Sequence, residues 1–128
     1  MNYSDIYEQV KERMMRYARI DTQSQPFAGH WPTTDKQKNL AGVLKDELIR
    51  IGASDVFFDE ERCVVYGKIP SNSADNKGTA IGFIAHMDTA PDASGTDVDP
   101  WVLENYDGGD IVLNEDKHIV MRAADYLN

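Results

Sequence analysis

Apolar positions recur first at helical intervals. Ile6, Val10 and Met14 fall four apart after Ser4, with Tyr3, Tyr7 and Tyr17 beside them, while Glu8, Lys11, Glu12, Arg13 and Arg16 fill the opposite face. The pattern predicts an amphipathic helix with Ser4 as N-cap and Asp5 beside the positive end of the dipole. It fades near Ile20, ahead of Asp21-Thr22-Gln23-Ser24 and Pro26. Residues 21–33 hold Pro26, Gly29 and Pro32 together with Phe27 and Trp31, so this loop is expected to pack down on its aromatics and not to act as a linker. Thr34 followed by Gln37 matches a capping box. Leu40, Val43, Leu44, Leu48 and Ile51 then repeat at helical spacing until Gly52 supplies a stop.

Beyond Gly52 the period shortens. The β-branched and aromatic runs at 55–58, 63–69 and 80–86 are each bounded by turn residues and predict three strands. The polar connection 70–78 is too short for a crossover helix, so the last two strands are expected to be antiparallel neighbours. From His86 to Gly109 the chain is rich in Asp, Gly and Pro, and only 111–113 reads as a further strand. Structureless stretches of more than about 15 residues in compact domains tend to be functional. The expected fold class is α/β, with two helices followed by a mixed β-sheet. The end, from Arg122 to Asn128, has neither cap nor strand pattern and reads as cut off.

Composition narrows the function classes. The 128 residues suit one domain, and a net charge of −9 with a pI near 4.6 argues against nucleic acid or an anionic membrane surface as partner. The first ten residues carry Asp5 and Glu8 where an export signal would be basic and then apolar. The longest nearly apolar run, 80–85, falls far short of the roughly 20 residues that cross a bilayer. The single cysteine, Cys63, precludes an intramolecular disulfide, and a cytoplasmic location follows as the expectation. Within its expected strand Cys63 reads as a small buried hydrophobe, not a nucleophile.

The chemistry-bearing stretch is IGFIAHMDTAPD, residues 81–92. Residues two apart on a strand share a face, so His86 and Asp88 project together where strand gives way to loop. A neutral imidazole ligates zinc well, and a carboxylate beside it can fix its orientation. A bare His-x-Asp also serves to cap a strand and start a turn, and spacing alone does not separate the two readings. The acidic loop 86–110 fits no EF-hand pattern. Asn105-Tyr106-Asp107-Gly108-Gly109-Asp110 reads as a turn into the next strand, the tyrosines of the first helix as packing residues, and His30 and His118 as solvated.

The wider context resembles the tripeptide aminopeptidases of the M20 metallopeptidase family. HMDTAPD carries the resemblance with its flanks, SGTDVDPWVLENYDGGDIVL after it and RYARIDTQS, PTTDKQKNLAGVLKDEL and VVYGKIPSN before it. It implies a partial zinc-peptidase catalytic domain spanning residues 1–128, two zinc ions per complete site, a tripeptide substrate, His86 as metal ligand and Asp88 as catalytic residue. It also implies that the family's remaining ligands, its general base and its lid and dimerisation domain match no part of this chain, which would leave it inactive alone. Two other readings stand beside this one: a non-catalytic α/β module that self-associates or binds a protein, and another amidohydrolase of the same family. An unpaired sheet edge leads to the further expectation of a homo-oligomer.

Overall fold

A computed structural model describes residues 2–75 and 78–126. The first helix, α1, runs Tyr3–Ala18, and its N-cap is Asn2, not Ser4. The Asn2 carboxamide accepts the Asp5 N–H while the Asp5 carboxylate accepts the Asn2 N–H, a reciprocal cap that Ser4, already inside the helix, cannot make. The second helix, α2, runs Gln37–Arg50 without a side-chain cap. Thr34 does not cap it because its hydroxyl donates instead to the Gln23 carbonyl at 2.7 Å. At the other end Gly52, at φ +86°, closes a Schellman motif: its N–H donates to the Ile49 carbonyl and that of Ala53 to the Leu48 carbonyl.

Strands β1 (Ser54–Asp59) and β2 (Val64–Lys68) form an antiparallel hairpin, with a bulge in β1 where Asp55 adopts φ +52°. One face of the hairpin packs on α2. At Gly67 a side chain would reach within 3.0 Å of Leu48, so the missing Cβ lets helix and strand approach. Phe57 and Tyr66 stack on the other face. Cys63 is buried as expected but lies outside the strand, in the preceding turn at φ +54°, a left-handed backbone.

A second antiparallel hairpin joins β3 (Ile111–Asn114) to β4 (Ile119–Met121), followed by a 3₁₀ turn over Ala123–Tyr126. The expected mixed sheet is therefore replaced, among the described residues, by two separate two-stranded antiparallel sheets. The expected strand 80–86 carries no regular secondary structure and is unpaired, with Ile81, Phe83 and Ile84 at 78, 93 and 101% exposure. Its residues have strand propensity, but propensity is realised only against a cross-strand neighbour, and β2 does not supply one. Asn76 and Lys77 of the connection before it lie outside the described residues, as do Leu127 and Asn128.

The apolar core is small: Leu40, Ala41 and Cys63. Helix α1 buries no residue, and Tyr3 and Tyr7 are exposed instead of packed. Phe27 and Trp31 likewise stand in solvent, so the loop 21–33 is fastened by hydrogen bonds near Asp21–Ser24 and not by its aromatics. The apolar faces of α1 and α2 leave a groove of about 390 Å³ lined by Ile6, Val10, Leu44, Leu48 and Ile51. The two helices are joined at Glu47, which faces Arg13, Arg16 and Tyr17 of α1.

Candidate active site

His86 and Asp88 meet, but through a local contact two residues apart and not at the end of the paired strand from which a shared face was expected. The His86 Nδ1 lies 2.9 Å from the Asp88 carbonyl oxygen and 3.2 Å from its Oδ1. Both neighbours are acceptors, so Nδ1 carries a proton, and in the neutral ring Nε2 is the nitrogen with a lone pair for a ligand. The imidazole is 84% exposed and the Asp88 side chain 41%, leaving both accessible to a ligand. Asp88 also borders an open cleft of about 370 Å³ lined by Phe27, Trp31, Pro32, Thr33 and Arg62.

This pair has the chemistry of one arm of a metal site: a nitrogen ligand whose tautomer and ring plane are set by a backbone carbonyl and, at longer range, a carboxylate. Among the described residues no group of three His, Cys, Asp or Glu side chains converges where a metal could sit. A catalytic zinc takes three protein ligands, so these residues fit part of a ligand set and not a whole one. His30 is exposed, its Nδ1 donating to the Pro32 carbonyl at 2.8 Å, and His118 sits exposed in the turn between β3 and β4. Neither approaches His86 as a second ligand. Tyr106-Asp107-Gly108-Gly109 forms the expected turn, with the Tyr106 hydroxyl donating to the Gly109 carbonyl.

What holds the pair in place was not visible in its own motif. Immediately after Asp88, Thr89 forms a parallel bridge with Gln23: its N–H donates to the Thr22 carbonyl at 3.2 Å and its carbonyl accepts the Ser24 N–H at 2.9 Å. Asp21 accepts from Lys36 at 2.8 Å, Thr96 at 2.9 Å and the Gln23 N–H at 3.0 Å. These donors, the Lys36 ammonium first, hold the Asp21 carboxyl down to about 2. The signal for this contact lay in the run Asp21-Thr22-Gln23-Ser24, four small polar residues without helical or strand period that are half-buried to buried here.

No family model matches the chain. Curated proteins do. The chain is 45% identical over 119 residues to peptidase T of Geobacillus thermodenitrificans (strain NG80-2), covering 93% of this chain and 28% of that protein. It is 50% identical over 117 residues to peptidase T of Desulfitobacterium hafniense (strain DSM 10664 / DCB-2), covering 91% of this chain and 28% of that one. With peptidase T of Lysinibacillus sphaericus (strain C3-41) the identity is 49% over 119 residues, 93% of this chain and 28% of the relative. The chain is a homologue of peptidase T. It spans little more than a quarter of the length of these peptidase T relatives. No helix among the described residues is long and apolar enough to cross a membrane.

Proposed function

We propose that this chain forms part of the catalytic domain of a cytoplasmic M20-type dizinc aminopeptidase that removes the N-terminal residue from tripeptides. His86 is a zinc ligand through Nε2, and Asp88 holds its ring and bears on the reacting centre. The observation that carries the reading is the Nδ1 contact of His86 to Asp88, which leaves Nε2 of an exposed imidazole free to ligate, with Asp88 itself at the border of an open cleft. Relatives named peptidase T, at 45 to 50% identity, support it over the non-catalytic module and over another amidohydrolase. When bound, two zinc ions supply Lewis-acid polarisation of the scissile carbonyl and an activated water.

The other ligands and the general base come from polypeptide corresponding to the rest of the relatives' length, so the 128-residue chain alone is inactive. The test is a chimaera in which this chain replaces the matching segment of the Geobacillus relative. It should hydrolyse a tripeptide and not its N-acetylated form, and Asp88→Ala should lower kcat by about 100-fold or more. A folded chimaera whose hydrolysis survives Asp88→Ala unchanged contradicts the assignment.

A further inference from the structure

The loop after Asp88 has no regular secondary structure before β3, yet it is held close to the start of α2. Asp21 is the point of attachment. One carboxylate oxygen takes the Gln23 N–H, and the other takes both Lys36, at the N-terminus of α2, and the Thr96 hydroxyl, at the far side of the loop. Gln23 adds two hydrogen bonds from Nε2, to the Pro91 carbonyl at 3.2 Å and the Ala93 carbonyl at 2.8 Å. Gly95 passes so close that a Cβ there would lie 2.8 Å from the Asp21 Oδ1, which explains why a residue without a side chain occupies that position. Both backbone groups of Thr89 are held by the same segment, one residue from Asp88.

We propose that Asp21 is a positioning residue for the His86 and Asp88 pair: with Gln23 it clasps loop 89–96 and so fixes where the pair points. The proposal rests on the peptidase reading above, since only there does the pair have a reaction to serve. Asp21 bonds Gln23, Lys36 and Thr96 and not His86 or Asp88; it acts through the segment Thr22–Ser24 that holds the backbone of Thr89. A displacement of about 1 Å at a reacting group can cost about 100-fold in rate, so a clasp of this kind has a measurable effect without joining the chemistry.

The test uses the same chimaera, with kcat and KM for a tripeptide and amide hydrogen exchange at Ser24 and Thr89. Asp21→Ala is expected to speed exchange at both amides and to lower kcat by about 10- to 100-fold, with KM within about twofold. Asp21→Asn keeps one acceptor oxygen, for the Gln23 N–H, while its NH2 can donate to the Thr96 hydroxyl but loses Lys36, so it should recover part of kcat. Gly95→Ala, which opens the clasp from the other side, should reproduce the loss. Should Asp21→Ala not fold, Thr96→Val removes one bond only and is expected to lower kcat about 2- to 10-fold. Unchanged exchange at Thr89 in these variants would overturn the clasp. Faster exchange with unchanged kcat would overturn its positioning role. Failure of the peptidase reading looks different: the unsubstituted chimaera folds but hydrolyses no tripeptide, which removes the proposal's premise while Thr89 exchange still reports the clasp.

Discussion

Replacing Glu47 by alanine removes the joint between the two helices, and the structure sets the size of the effect. Glu47 is the one buried charged residue among the described residues, and α1 buries no residue of its own, so the helix depends on this carboxylate and on an incompletely closed apolar groove. Burial alone would raise the Glu47 pKa, but the Tyr17 hydroxyl, Arg16 and Arg13 outweigh it and hold the group below its ordinary value. Breaking a fully buried pair costs about 3–5 kcal/mol, whereas an exposed one is worth about 0.2–1 kcal/mol. The Glu47 side chain is 11% exposed, but those of Arg13 and Arg16 are 32 and 35% exposed and can rehydrate when freed. The expected loss is therefore about 1–2 kcal/mol, or roughly 4–10 °C in Tm for a domain of this size.

Thermal and guanidinium unfolding measure the loss, and hydrogen exchange locates it. Exchange should rise across α1 and stay unchanged in the β1–β2 hairpin. A double-mutant cycle with Arg16→Ala should show coupling of about 0.5 kcal/mol or more. Additive effects, or exchange rising equally in the hairpin, would refute the view that Glu47 fastens α1.

Other consequences follow from the same contacts. Asp21 ionises at about 2 when folded, against roughly 3.9 unfolded, so the clasp's contribution is present above about pH 4 and is lost as pH falls toward 2. Thr89 amide exchange, corrected for its intrinsic pH dependence, should lose protection over that window in the wild type, and loss confined to higher pH would contradict the assignment. Tyr17 is pushed up to about 12 by burial and by its bond to Glu47, so the joint between the helices should weaken as pH rises from about 10 to about 12. Far-ultraviolet dichroism of wild type against Tyr17→Phe checks this. The exposed Ile81, Phe83 and Ile84 predict that the isolated chain pairs with a second copy along this unpaired segment. Light scattering should show association that Phe83→Lys reduces, and a monomer at all concentrations would contradict it.

Local signals in the sequence carried the helices and the two strands of the first hairpin, but not their pairing, since the second strand was expected to pair with 80–86. The stripe Leu40, Leu44, Leu48 and Ile51 and the stop at Gly52 place α2 within a residue or two, because period and positive φ are properties of the segment itself. Glu47 stands on that stripe, a carboxylate among apolar positions, and its partners Arg13 and Arg16 stand on the polar face of α1. The juxtaposition was present in the sequence but decided only by packing. The segment 80–86 shows the opposite limit, since its composition is that of a strand while strand pairing depends on a partner that the segment cannot specify. The closeness of His86 and Asp88 follows from a separation of two residues, although the strand that was to align them did not form. The support they receive from Asp21 was not legible, because residues 65 to 75 positions apart in the chain come together only through the fold.

Zinc content of the purified chimaera, with and without His86→Ala, tests the central assignment most directly. The metal-ligand reading predicts about two zinc ions per chain, falling to about one with His86→Ala while the fold is retained. Two tightly held zinc ions in the folded His86→Ala variant would contradict it.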